Sequence, residues 1–246
     1  MNLKKKLGLL HMATKKSFIA TFIPYLLTIS IGAQASEYTA VTFASSLINL
    51  PNVANFCLVT KDTPEETSAF NQAEEIQLAS NNKLFQVWLS CPELDALKRN
   101  GYVEKINQWV LIFATMANGK EHIFSEEFGQ KWKDQIIGLD ITSDSILSKV
   151  DTILEEHDVS IDIGSGNKNL GVLAMDEFIH KGFIVNVDDE PVLGIMSSNI
   201  IRGVPLNIAF YSYEPDRGKI LSILDQAKKH TKSITSLNND KTEINK

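Results

Sequence analysis

The sequence predicts an α+β fold, an antiparallel β-sheet meander packed by helices, and three observations carry that expectation. Five strand-like apolar runs follow one another between residues 159 and 213, joined by connections too short to cross back over a sheet, which forces antiparallel neighbours. Two segments in the N-terminal half carry helix-start or helix-stop signals beside strand-like runs. The last long segment, Asp216 to about Ser236, sets Ile220, Leu221, Ile223, Leu224, Ala227 and Ile234 on one stripe suited to lie across a sheet.

Taken in order, residues 1–35 read as a secretory signal peptide. Lys15 and Lys16 precede an apolar run, Phe18 to Gly32, and Ala33-Gln34-Ala35 supplies the small-x-small pattern of a cleavage site. A start at Met12 gives a compact signal, whereas a start at Met1 adds Lys4, Lys5 and Lys6 to its basic segment. The alternative, an uncleaved anchor, is disfavoured because the run falls short of the ~20 residues a spanning helix needs, and Pro24, Thr28 and Ser30 dilute it. The mature chain is expected to begin near Ser36, to be periplasmic or secreted, and to hold no transmembrane segment.

Residues 36–236 are expected to form one α+β domain, with a less regular part over 36–158 and a better-patterned one over 159–236; 237–246 is a polar tail. Tyr38 to Asn52 carries no decisive pattern, and Val53 to Thr60 reads as a short buried strand. At Thr63-Pro64-Glu65-Glu66, Thr63 caps a helix, Pro64 takes its first position and Glu66 closes a capping box. That helix runs to about Ser80. Leu84 to Leu89 is a strand, Pro92 to Asn100 a helix stopped by Gly101, and Trp109 to Ala117 a strand ending at the turn Asn118-Gly119.

Helices are expected over Ser125 to Ile137 and Ser143 to Glu156. The second has Ile146, Leu147, Val150, Ile153 and Leu154 on one face. The five later strands are Val159 to Ile163, Gly171 to Phe178, Gly182 to Val187, Val192 to Ile201 and Pro205 to Tyr213, with Asp188-Asp189 and Arg202-Gly203 as tight turns.

Composition limits the partners. Removing residues 1–35 takes five lysines and no acid, so 24 basic residues fall to 19 against 30 acidic ones, a mature balance of −11. That argues against a nucleic-acid partner and against an anionic membrane surface. Cys57 and Cys91 are the two cysteines, which in an oxidising compartment read as one disulfide; the other reading is two buried thiols in apolar strand-like runs.

The wording Leu193-Gly194-Ile195-Met196-Ser197-Ser198, followed by Arg202-Gly203-Val204-Pro205-Leu206-Asn207-Ile208-Ala209-Phe210-Tyr211-Ser212-Tyr213 and the Asp216 helix, resembles the PsbP and DcrB-like group. The resemblance covers about a third of the chain. It implies an α/β/α sandwich around an antiparallel sheet in an exported accessory protein, and it carries over no functional residues.

Candidate chemistry is sparse. Asp162-Ile163-Gly164-Ser165-Gly166-Asn167 resembles the glycine-rich first loop of S-adenosylmethionine-dependent methyltransferases. Lys168, however, stands where a further glycine is expected and strands follow, so the segment reads as an ordinary loop and no cofactor is expected. Glu155-Glu156-His157-Asp158 reads as a solvated helix end, and Asp188-Asp189-Glu190 as a hairpin tip. His122 with Glu126, and His180 with Asp176 four residues apart on one strand face, are the remaining His/carboxylate pairs. No metal site is expected without three or four such ligands. Trp88, Trp109 and Trp132 read as core anchors, and His230 among Lys228, Lys229 and Lys232 as the cationic end of the last helix.

These observations predict an exported, soluble, non-catalytic accessory or binding module of the cell envelope, with a protein or small-molecule partner. The candidate surface is the strand pair 196–213, with Tyr211 and Tyr213, together with Gly164, Ser165, Gly166, Asn167, Asp176 and His180. The alternatives are a periplasmic hydrolase with residues scattered in sequence and a secreted partner-binding factor.

Overall fold

Alternation of side chains along each strand sorts the apolar residues onto two faces of a sheet, and both faces are covered. The structure is a computed structural model and describes residues 37–103, 105–137, 168–187, 190–213 and 216–239, all within one compact unit, Ser36–Lys246. Tyr38–Phe43 (β1) and Ser46–Pro51 (β2) pair as a hairpin. The main sheet holds Phe56–Leu58 (β3), Asn82–Ser90 (β4), Gln108–Thr115 (β5), Lys168–Met175 (β6), Ile179–Val187 (β7), Glu190–Ile201 (β8) and Val204–Tyr213 (β9). Its order is β3-β4-β5-β9-β8-β7-β6, with every neighbouring pair antiparallel. The described helices are Pro64–Ala79 (α1), Cys91–Asn100 (α2), Glu126–Ile137 (α3) and Arg217–Asn239 (α4). The chain thus has the expected α+β architecture, with two antiparallel meanders, β3-β4-β5 and β6-β7-β8-β9, joined where β9 pairs with β5 and with helices on both sides.

On one face Val110, Ile112, Leu193, Ile195, Ile208 and Phe210 pack beneath α4, through Ile220, Ile223, Ala227 and Ile234, and beneath Phe43, Ile48 and Leu50 of the β1–β2 hairpin. On the other, Val87, Leu89, Leu111, Phe113 and Ala209 meet Phe70 of α1 and Leu94 and Leu97 of α2. Asn238 locks the hairpin to α4: its Nδ2 donates to Asn49 O at 2.8 Å, and its Oδ1 accepts from Asn49 N at 2.9 Å. Arg202 adds a second tie, donating from Nε to Asn238 O (3.0 Å) and from Nη1 to Leu47 O (3.2 Å).

Several local readings change. The segment 38–52, without a decisive sequence pattern, is the hairpin. The strand expected to reach Phe178 ends at Met175, and its successor begins at Ile179 rather than Gly182. Asp176 causes the shift: its Oδ1 accepts from Phe178 N at 2.9 Å and closes a turn that the fully buried Phe178 conceals in the sequence. At α1, Thr63 caps as expected, accepting from Glu66 N at 3.2 Å, but Glu66 does not return the bond. Its Oε1 instead accepts from Thr60 N and Thr60 Oγ1, both at 3.1 Å, and stands 3.3 Å from Lys98 Nζ. Burial alone would raise the Glu66 carboxyl, but the hydrogen bonds from Thr60 and Lys98 outweigh it and hold the group below its usual range.

Other expectations hold. Gly101 closes α2 in the left-handed conformation, and Ser125 Oγ accepts from Phe128 N at the start of α3. Arg202 and Gly203 both take positive φ (51° and 80°) in the β8–β9 turn. Gly203 also lacks room for a side chain, because an added Cβ would lie 2.7 Å from Phe124 O. The helix expected over 143–156, the strand over 159–163, the Asp188-Asp189 turn, residues 1–35 and the end of the polar tail lie outside the described residues.

Cys57 and Cys91 are bonded, with their Cα atoms 4.9 Å apart. The bridge fastens the three-residue edge strand β3 to the first residue of α2, across 34 residues of chain. Replacing both cysteines by serine should lower stability by about 3–4 kcal/mol on the chain-entropy model. Denaturant midpoints of the parent and the double variant, each with and without reductant, check this; reductant should shift the parent alone.

Candidate functional site

The sheet separates the residues that the sequence grouped together. His180 pairs with Ser197 in register, and Ser197 with Ile208, so His180 lies on the α4 face. Tyr211 and Tyr213 belong to the opposite alternation of β9 and lie on the α1–α2 face, beside Trp109. Gly164, Ser165, Gly166 and Asn167 lie outside the described residues.

Asp176 and His180 do meet, though not along one strand face. Asp176 sits in the β6–β7 turn, and both its carboxylate oxygens lie 3.2 Å from His180 Nε2. On the other side of the ring, Nδ1 lies 2.7 Å from Ser197 Oγ. With Asp176 ionised, Nε2–H donates to it and Nδ1 accepts from the Ser197 hydroxyl. Burial pushes His180 below its ordinary pKa; Asp176 opposes that shift and Lys228, on α4, adds to it. A Ser, a His and an Asp are therefore hydrogen-bonded in a line. In a nucleophilic triad the serine faces substrate and the acid is buried. Here the order is inverted: Ser197 and His180 are fully buried, while the Asp176 side chain is 37% exposed. The line pins the β6–β7 turn to β8, and its hydroxyl cannot reach a substrate.

The same face carries two further buried polar groups. Gln86 Oε1 accepts from Trp88 Nε1 at 3.1 Å, but Gln86 Nε2 has no hydrogen-bond partner among the described residues. His230 is not a cationic helix end. It lies beneath α4, edge-on to Phe210 with ring centroids 6.2 Å apart, and burial pushes its pKa down to about 4. Its Nε2 is likewise without a partner among the described residues.

On the opposite face, registered neighbours Phe183, Gly194, Tyr211 and Trp109 form a row across β7, β8, β9 and β5. Trp109 stacks on Tyr211 at 5.0 Å with an 11° interplanar angle, and Phe183 meets Tyr211 edge-on at 5.9 Å. Gly194 makes the row possible, since a Cβ there would lie 2.2 Å from Phe183 Cε2. Burial pushes the Tyr211 hydroxyl up to about 12, so it stays protonated at neutral pH. Tyr213 lies under Lys105, whose Nζ is 4.6 Å from the ring centroid.

Further along that face, where α3 meets β8, lies a cavity of about 240 Å³. Its walls include Met116, Phe124, Phe128 and Trp132, with the Phe124 and Phe128 rings stacked at 4.7 Å. Trp132 is thus a wall of the cavity rather than a core anchor. The floor is polar: Ser198 Oγ donates to Asn207 Oδ1 at 2.7 Å, and Asn207 Nδ2 donates to Thr115 Oγ1 at 3.0 Å and to Pro205 O at 3.2 Å. Every residue lining the cavity is uncharged. His122 is exposed and edge-on to Phe124, and α3 begins at Glu126, so His122 lies ahead of the helix, as the expected start near Ser125 implied, and shares no helix face with Glu126. The strand pair 196–213 named from the sequence contains Ser198 and Asn207, but Thr115 and the aromatic walls come from other elements and were not foreseen. The signal present was the polar run Ser197-Ser198-Asn199 inside one apolar strand-like segment and Asn207 inside the next.

Among the described residues no three His, Cys, Asp or Glu side chains group as metal ligands. Comparison with protein families, with characterised proteins and with solved structures finds no match.

Two outcomes follow from this geometry. An imidazole whose folded pKa is depressed leaves the unfolded chain binding the extra proton, so stability is lost as pH falls from about 6.5 towards about 4. His230→Leu should remove part of that loss and leave the variant more stable than the parent at pH 5 by about 1–2 kcal/mol. At pH 8 the gap should be smaller; urea midpoints at the two pH values check it. Gly194→Ala should cost about 1–3 kcal/mol through the clash with Phe183. In a Phe183→Leu background the same change should cost less, as read from a double-mutant cycle.

Proposed function

We propose that this chain is an exported envelope protein that acts as a non-catalytic accessory or binding module. The observation that carries the proposal is the contrast between the two faces of the sheet. Ser197 and His180 of the hydrogen-bonded line are sealed on the α4 face and only Asp176 reaches the surface, whereas the cavity on the opposite face is lined by uncharged side chains. A hydrolase needs a nucleophile or an activated water beside a titratable group, and binding requires only shape and hydrogen-bond partners.

The Cys57–Cys91 bridge supports the exported compartment, since disulfides persist where the environment is oxidising. The basic and apolar residues ahead of Ala33-Gln34-Ala35 support it independently. The likeness of residues 193–213 to the PsbP and DcrB-like group suggests the accessory role. No described helix is long and apolar enough to cross a membrane.

Expression of the full chain in a bacterial host tests the proposal. Mass spectrometry should find a mature N-terminus at Ser36 and no free thiol. Recovery of an intact Met1 or Met12 start with two alkylatable cysteines would count against export. General esterase and peptidase substrates should be turned over no faster by the parent than by a Ser197→Ala variant.

A further inference from the structure

We infer that the cavity between α3 and the β5–β9–β8 end of the sheet is a binding site for a small, neutral, flat ring molecule carrying one carbonyl or ether oxygen. This rests on the binding reading above and gives it a ligand class.

Size comes first. A cavity of about 150 Å³ accepts a benzene ring, so the 240 Å³ present here suits two fused rings. The walls set the shape. Phe124, Phe128 and Trp132 offer flat apolar surfaces, and Phe128 stays 46% exposed, as befits a wall at the mouth. Stacking against such surfaces favours a planar ligand.

The floor sets polarity and direction. Ser198 and Asn207 are each only 8% exposed, so two polar side chains are buried where the fold needs none. Their hydrogen bonds run one way. The Ser198 O–H is spent on Asn207 Oδ1, and the Asn207 amide protons are spent on Thr115 Oγ1 and Pro205 O. Thr115 therefore acts as an acceptor, and its own O–H has no acceptor among the described residues. It is the free donor of the floor, on an exposed residue, and it can point to an oxygen on the ligand. No charged side chain lines the site, so an ionic ligand would lose its hydration without gaining a counter-charge.

The test uses the purified protein, with coumarin as the neutral probe and 2-naphthoate as an anionic probe of similar size. Nuclear magnetic resonance titration should show coumarin saturating with a dissociation constant on the order of 0.1–1 mM, ordinary for so few atoms. Binding of 2-naphthoate should be at least tenfold weaker. Thr115→Val should weaken coumarin about fivefold and Thr115→Ser should restore it, while Phe128→Ser should weaken it further. Phe128 is exposed, and Thr115→Val removes one acceptor of Asn207 Nδ2 while leaving Pro205 O, so matched thermal melts and the Thr115→Ser variant, which keeps the hydroxyl, separate local losses from loss of fold. Failure of coumarin to saturate by 10 mM, or equal affinity in the parent, Thr115→Val and Phe128→Ser proteins, would overturn the site and leave the accessory reading intact. Opening of the coumarin lactone by the parent protein would overturn both, because the chain would then be a hydrolase.

Discussion

Everything in this fold depends on the pairing of β5 with β9. Seven registered residue pairs, from Gln108–Ser212 to Ala114–Leu206, join strands about a hundred residues apart in sequence. Both strands are central, with neighbours on each side and apolar residues on each face. The β3–β4–β5 part brings α1 and α2 to one face. The β6–β9 meander is followed by α4, which covers the other. Without this seam, each half would present a long unpaired edge.

The register of that seam also decides which polar residues share a surface. Residues at even positions of β9 face α4, and those at odd positions face α1 and α2. Ser197 and His180 belong to the first set, Asn207, Tyr211 and Thr115 to the second. Slipping β9 against β5 by one residue would exchange the two sets, moving Asn207 into the sealed core and Ile208 to the cavity floor. The cavity is therefore a product of strand register, and the residues of its floor need no local motif.

That explains what the sequence shows and what it hides. The Thr63-Pro64 start of α1, the Gly101 stop of α2, the Arg202-Gly203 turn and the order of the C-terminal strands are all local, set by a cap, a turn or an alternation of two. They were legible. The Asp176–His180 contact was also legible as a pair, but its geometry was not, since the turn between them is closed by Asp176 on the backbone of a buried phenylalanine, through its Oδ1 accepting from Phe178 N and its N–H donating to Phe178 O. His230 misled because three lysines surround it. Its spacing from Ile223, Ala227 and Ile234 is the better guide, for it falls on the same buried stripe. The Ser198–Asn207–Thr115 floor could not be read, because it exists only once β5, β9 and β8 are side by side.

The unequal treatment of polar groups on the two faces bears on where function resides. Beneath α4, Gln86 Nε2 and His230 Nε2 are buried without partners among the described residues, and each such group costs about 1–3 kcal/mol. These groups are closed to any ligand, and His180 and Ser197, which do have partners, are closed as well. Across the sheet the polar side chains are bonded to one another and still hold a donor in reserve, at a place on that face where aromatic walls leave room for a guest. A satisfied network adds little to stability beyond what an apolar replacement of equal shape would provide. Its spare hydrogen-bonding capacity is then the property that distinguishes it, and that capacity serves recognition better than it serves the fold.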